Sequence, residues 1–148
     1  MNITFKKGNL LASSMQCHVN TTNCVGVMGK GIALQFKQKY PDMFKDYQLR
    51  CKSNRVKLGE PYLYKVNKDR FIINFPTKGH WRNGSNLNDI ITGLEYLIQH
   101  YQEWGISSIA FPALGCNNGG LDWEIVRPIM IEYASKMSIP IEIYEPID

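Results

Sequence analysis

Asn20-Thr21-Thr22-Asn23-Cys24-Val25-Gly26-Val27-Met28-Gly29-Lys30-Gly31 follows an apolar run of strand length, Met15 to Asn20, and leads into a segment of helical character. Glycines at 26, 29 and 31 let the backbone approach a ligand and take positive φ, and the helix start that follows offers unpaired N–H groups to an anion. The stretch is not a Walker loop. Cys24 stands where that motif has its first glycine, and Gly31 replaces the Ser or Thr that would hold magnesium. It is not a dinucleotide fingerprint either, because Leu34 occupies the place of the third glycine in a Gly29-x-Gly31 pattern. A phosphate cradle and a tight structural turn both fit it.

Two further loops change that balance. Pro112-Ala113-Leu114-Gly115-Cys116-Asn117-Asn118-Gly119-Gly120-Leu121-Asp122-Trp123 again joins a strand-like run to a helical one. Two glycine-rich loops of this type on one small sheet converge on the same edge, where they suit a diphosphate better than a single phosphate. Cys116 has no histidine placed by the sequence to activate it, which leaves it a weak candidate nucleophile. Asn74-Phe75-Pro76-Thr77-Lys78-Gly79-His80-Trp81-Arg82 leaves another strand. It sets a potential nucleophile, Lys78, beside groups that stack on bases and bind phosphates. The competing reading is a solvated loop whose Trp81 packs on the core.

Around these loops the chain alternates strands and helices. Asn2 to Lys6, Met15 to Asn20, Ser108 to Pro112 and Pro140 to Tyr144 read as strands, and Pro61 to Val66 with Phe71 to Phe75 as a hairpin about Asn67-Lys68-Asp69. Leu87, Ile90, Ile91, Leu94, Leu97, Ile98 and Tyr101 form one apolar stripe of a helix, capped by Ser85 or Asn86 and closed by Gly105. Trp123 to Met137 reads as another, with Asp122 a candidate cap and Pro128 expected at the true first turn. One or two more lie between Gly31 and Ser53, divided at Tyr40-Pro41. The expected architecture is α/β, a three-layer α/β/α sandwich with a mixed central sheet, formed by residues 1–148 as a single domain. Ligands of such sheets sit at the carboxyl ends of the strands.

Length and charge limit the function. A chain of 148 residues with 44% apolar content holds one core of ordinary size. No apolar run approaches a membrane span and Met1-Asn2-Ile3-Thr4-Phe5-Lys6-Lys7 is no signal-peptide core, so a cytoplasmic protein without a membrane partner is expected. Cys17, Cys24, Cys51 and Cys116 form no Cys-x-x-Cys pair, and neither a metal site nor a disulfide framework is expected. The net charge of +4 hides an asymmetry. Residues 1–82 hold fifteen Lys or Arg against four Asp or Glu, whereas residues 83–148 hold two against nine. Polyanions are the first candidates for a partner of so basic a half.

The three loops together resemble the macrodomain, an ADP-ribose-binding family, and the resemblance covers nearly the whole chain. It is carried by Gly8-Asn9-Leu10-Leu11, Val19 to Asn23, Gly26 to Ala33, Asn74 to Lys78 and Pro112 to Cys116. Met28-Gly29-Lys30-Gly31-Ile32-Ala33, Lys78-x-His80-Trp81-Arg82 and Gly119-Gly120-Leu121-Asp122-Trp123 are most similar to the branch of the DarG antitoxin macrodomain, which removes ADP-ribose from thymidine in single-stranded DNA. A related human branch, the terminal ADP-ribose hydrolase acting on glutamate, shares the glycine-lysine-glycine loop and the catalytic lysine.

The resemblance implies roles. Asn9, with Leu10, takes the slot where many macrodomains hold adenine by an aspartate. Asn20 matches the asparagine that fixes the distal ribose, with Asn23 beside it, and is counted with Lys78 as catalytic. Met28, Gly29, Lys30, Gly31 and Ile32 form one substrate loop. Leu114, Gly115, Cys116, Asn117, Asn118, Gly119, Gly120 and Leu121 form the other, and Thr77 precedes the catalytic Lys78. Where the glutamate-directed branch has an aspartate, this chain has Gly119, while Asp122 is better placed as a helix cap; the DNA-directed branch is therefore favoured.

The expected activity is DNA ADP-ribosyl glycohydrolase, a hydrolase of an antitoxin type without a cofactor. Alternatives are removal of protein-linked ADP-ribose, dephosphorylation of ADP-ribose 1″-phosphate, or binding without cleavage. Lys78 serves either as nucleophile at C1″ or as proton donor to the leaving base, and convergence of Lys30, His80 and Arg82 would lower its pKa by like-charge repulsion. His80, Trp81 and Arg82 are the expected DNA contacts, with Lys52, Arg55 and Lys57 able to follow phosphates. The expected partners are ADP-ribose, ADP-ribosylated single-stranded DNA and a cognate ADP-ribosyltransferase toxin, with the chain a monomer. DarG antitoxins carry a further C-terminal toxin-neutralising segment, so this chain is expected to be a stand-alone enzyme or an isolated domain.

Overall fold

The structure, a computed structural model, describes residues 2–146. Its strands are β1 (Ile3–Lys6), β2 (Cys17–Thr22), β3 (Tyr62–Asn67), β4 (Arg70–Pro76), β5 (Ile109–Phe111) and β6 (Ile141–Tyr144). Its helices are α1 (Gly31–Lys39), α2 (Pro41–Lys52), α3 (Leu87–His100) and α4 (Trp123–Ala134), with a 3-10 turn at Leu10–Ala12. One sheet runs in the order β1-β6-β5-β2-β4-β3. Every pairing is parallel except β3 with β4, the expected hairpin, so the sheet is mixed.

Alternation along β2 divides the core. Cys17 and Val19 join Phe71, Ile73 and Phe75 of β4 in a cluster completed by Ile90, Leu94 and Leu97 of α3 and Val126 and Met130 of α4. The opposite face packs Ile72 and Ala110 against Phe36 of α1 and Met43 and Tyr47 of α2. With helices on both faces, β2 and β4 are buried nearly throughout, as central strands of a three-layer fold must be. Each fully buried aliphatic side chain contributes about 1.5–3 kcal/mol.

The helix boundaries follow local chemistry. Tyr40 leaves helical geometry (φ −127°, ψ 70°) before Pro41, which starts α2 without needing an N–H partner. Asn86 caps α3 by accepting from the Asn88 N–H at 2.8 Å, and Asp122 caps α4 by accepting from Glu124 at 2.9 Å. Pro128 differs from expectation. It lies inside α4 rather than in its first turn, because Asp122 starts the helix at Trp123. The lost bond is to the carbonyl of Glu124, and both residues are exposed, so water can serve that carbonyl in place of the missing N–H. Among the described residues no helix is long and apolar enough to cross a membrane.

Since β2 leads to α1 on one face while β4 and β5 lead to α3 and α4 on the other, the connections diverge at neighbouring strand ends and open a crevice there. All three loops singled out in the sequence leave that edge.

Candidate active site

The loops after β2, β4 and β5 touch one another at the crevice. Thr77 continues β4 by donating to the Thr22 carbonyl at 2.9 Å, and the Cys24 N–H donates to Gly79 at 3.2 Å. The Ser85 N–H donates to Gly119 at 2.9 Å, joining the segment before α3 to the loop after β5. Gly31, at φ +59°, brings the start of α1 so near that loop that a Cβ would lie 2.8 Å from Asn118 Nδ2. Gly119 is more constrained still, because a Cβ there would collide with Ser85 Oγ and the Gly115 carbonyl.

Lys78 sits where these loops meet. Its Nζ donates to the Trp81 and Asn118 carbonyls, both at 3.3 Å. Burial, and secondarily Lys30, lower its pKa from the ordinary lysine value. The expectation of repulsion from three cations holds for Lys30 only. His80 and Arg82 turn instead to Trp81, whose ring lies 5.1 Å from the imidazole and 4.9 Å from the guanidinium carbon. Trp81 is 49% exposed and does not pack in the core. It offers a face to solvent at the mouth of the site.

On the floor, Asn20 is fully buried on β2. Its Nδ2 donates to Asn74 Oδ1 at 3.1 Å and lies 3.8 Å from the sulfur of buried Met28, while Asn74 Nδ2 donates to the Tyr62 hydroxyl at 3.0 Å. Asn20 Oδ1 and, two residues on, Thr22 Oγ1 are buried with no partner among the described residues. Buried acceptors without partners are costly, and a hydroxyl-bearing ligand at the strand end would relieve that cost. The sequence assigns no site role to Thr22, to Asn74 or to Ser85, whose Oγ is likewise without a partner among the described residues. Their roles depend on contacts between strands and loops far apart in the chain.

Other expected site residues fall into two groups. Asn23 is committed to its own loop. Its Oδ1 accepts from Val25 N–H at 3.0 Å and the buried Tyr47 hydroxyl at 2.7 Å, and its Nδ2 donates to the Val27 carbonyl at 2.8 Å. Asn9 Oδ1 caps the 3-10 turn by accepting from Leu11 N–H at 3.0 Å, which leaves its second lone pair for another donor. Asn9 also lines an open concavity of about 570 Å³ with Leu11, Ala12, Gln35, Gln38 and Lys39, and Leu10 is buried beside it. Gly29, Lys30 and Gly31 are exposed on the first loop and Ile32 is half-buried. On the second loop Asn117, Asn118 and Gly120 are exposed, Leu114, Gly115 and Gly119 are buried, and Cys116 and Leu121 are half-buried. Burial, then Asp122, pushes the Cys116 thiol up to about 11, so it is no thiolate at neutral pH.

The Macro domain family profile matches residues 19–130, from the middle of β2 to the last turn of α4. The chain belongs to the macrodomain family. This macrodomain is 45% identical over 148 residues to the DNA ADP-ribosyl glycohydrolase of Mycobacterium tuberculosis, an alignment covering 97% of this chain and 42% of that relative. The macrodomain of M. tuberculosis DarG superposes with a TM-score of 0.93 at 44% identity, over 99% of this chain and 98% of that one. Thermosipho africanus DarTG in complex with ADP-ribose gives 0.93 at 39% identity, over 99% of this chain and 42% of that one. The macrodomain thus spans about two-fifths of the length of the curated DNA ADP-ribosyl glycohydrolases it matches.

Proposed function

We propose that this macrodomain is a DNA ADP-ribosyl glycohydrolase that releases ADP-ribose from thymidine in single-stranded DNA. The observation that carries the reading is Lys78 Nζ held between the Trp81 and Asn118 carbonyls where the two substrate loops meet. It is supported by relatives named for this activity at 40–45% identity. ADP-ribose would lie along the crevice. Adenine sits toward Asn9 and Leu10, the diphosphate between Gly29–Ile32 and Gly115–Gly120, and the distal ribose over Asn20 Oδ1.

Lys78 then acts at the anomeric carbon. Two N–H bonds of a neutral amine are engaged by the two carbonyls, which leaves the lone pair free to attack C1″. The bond from C1″ to the base nitrogen breaks, its electron pair leaves with thymine, and a proton from water completes the base. Water then hydrolyses the lysine adduct, freeing ADP-ribose and the amine. Burial favours the uncharged amine that this route requires. Trp81 stacks on an unpaired base, and His80 and Arg82 stand beside it to meet the strand. A cognate ADP-ribosyltransferase toxin would supply the substrate, which makes the activity an antitoxin's.

One preparation offered three substrates tests this: DNA carrying ADP-ribosyl-thymidine, a glutamate-linked ADP-ribosyl peptide, and ADP-ribose 1″-phosphate. Release from the DNA alone is expected. Turnover of the peptide or the phosphate alone, or binding without release, would overturn the proposal.

A further inference from the structure

Lys52 at the end of α2 and Arg55 and Lys57 on the turn that leads to β3 are cations outside the three loops of the candidate site. All three side chains are exposed, and none has an ion pair or side-chain hydrogen bond among the described residues. The nearest preceding carboxylate, Asp46, is taken by Arg50 at 2.9 Å. The turn is nonetheless rigidly built. The N–H groups of Ser53, Asn54 and Arg55 return to the carbonyls of Leu49, Cys51 and Arg50 at 3.2, 3.1 and 2.8 Å, and Asn54 takes φ 57°. Val56 is 5% exposed in the core, and Gly59 packs so closely on α3 that a Cβ would lie 2.8 Å from Thr92. With the backbone already fixed, an anion that docks here has to order only the exposed side chains and not the turn that carries them.

The turn adjoins the site. A Cβ at Gly79, next to Lys78, would lie 4.0 Å from Leu58, and one at Gly26 would lie 3.8 Å from Cys51. Leu58, Trp81, Val25 and Val27 are exposed large apolar side chains on these abutting segments. Apolar surface next to the reacting lysine, followed by cations a few residues beyond, matches the alternation of bases and phosphates along a single strand.

We propose that the α2–β3 turn is a phosphate track for one flank of the DNA strand, running from Trp81 across Leu58 to Arg55, Lys57 and Lys52. It rests on the proposed function, since the modified thymidine must occupy the crevice for a flank to reach the turn. The track fixes strand polarity: only the 5′ or only the 3′ flank uses it.

The test is an Arg55→Glu/Lys57→Glu variant, compared with the unaltered protein on three substrates: ADP-ribosyl-thymidine nucleoside, and two ten-nucleotide single strands carrying the modified thymidine near one end or the other. Expected is a KM at least about tenfold higher on one oligonucleotide with kcat unchanged, and less than about threefold change on the other oligonucleotide and the nucleoside. The salt dependence of binding that oligonucleotide should flatten by about 1.4 in logarithmic slope for two lost contacts. Equal losses on all three substrates, or unchanged KM on both oligonucleotides, would overturn the track.

If the unaltered protein releases nothing from DNA, the functional reading fails, and the turn is judged by fluorescence anisotropy with unmodified oligothymidylate. At least about tenfold weaker binding by the variant supports the track. Unchanged binding, or tighter binding of the unaltered protein to oligouridylate than to oligothymidylate, overturns it.

Discussion

Lys78 Nζ donates to the carbonyl of Asn118 at 3.3 Å, forty residues away in the chain. The group proposed to attack the sugar is thereby fastened to the loop proposed to hold the diphosphate. A change in either loop therefore reaches the other.

Lys78→Ala should lower ADP-ribose release from modified DNA by about 10³-fold or more while leaving the melting temperature nearly unchanged, since the side chain is only half-buried. Lys78→Arg should be equally inactive, because a guanidinium keeps donors for the two carbonyls but cannot lose its proton. Borohydride should trap ADP-ribose on the unaltered protein and on neither variant. A fully active Lys78→Arg protein would exclude nucleophilic attack.

The kcat of the unaltered protein should rise with pH to a plateau, with its midpoint below the ordinary lysine value, because burial and Lys30 both disfavour the ammonium. Lys30→Met removes one of those causes. Its pH profile should shift upward but remain below that of a free lysine, since burial, the larger cause, persists. A fall in kcat with rising pH would mark Lys78 as a proton donor instead.

Gly119→Ala should destabilise the fold by about 1–3 kcal/mol and weaken ADP-ribose binding, because the new methyl collides with Ser85 Oγ and the Gly115 carbonyl. Adding Ser85→Ala should recover only part of the loss, since the backbone carbonyl stays in place. Denaturant midpoints and calorimetric titration with ADP-ribose measure the two effects separately.

His18 lies fully buried on β2, with Nε2 against the Ser13 carbonyl and the Arg70 guanidinium and Nδ1 without a partner among the described residues. Burial, then Arg70, lowers its pKa from 6.5 to about 4. The unfolded chain therefore binds this proton more readily, and stability should fall as pH drops from about 6.5 toward 4. The loss from this residue is on the order of 3 kcal/mol, from 1.36 kcal/mol per pKa unit. Chemical unfolding across that range should show a shallower pH slope for His18→Leu than for the unaltered protein. Parallel slopes would mean that His18 is not the group responsible.

Much of this architecture is written locally. The stripe from Leu87 to Tyr101, the polar hairpin turn at Asn67-Lys68-Asp69, the Tyr40-Pro41 break and the Asp122 cap each depend on near neighbours in the chain, and the structure has all four. The glycine-rich loops are equally legible, because positive φ and close backbone approach demand glycine wherever the chain runs next. Pro128 lies deeper in its helix than its missing N–H alone predicts, because an exposed Glu124 carbonyl tolerates that loss within a helix.

What the sequence determined by itself was therefore the order of elements, the sandwich and the identity of the loops. Tertiary structure alone decided how their side chains are used. It turned His80 and Arg82 onto Trp81 rather than toward Lys78, committed Asn23 to Tyr47, and left Asn20 Oδ1, Thr22 Oγ1 and Ser85 Oγ without partners among the described residues. The reason is range. Capping, turn formation and amphipathic periodicity act over a few residues, but hydrogen-bond satisfaction and desolvation at the crevice depend on groups brought from β2, β4 and β5 only when the sheet closes.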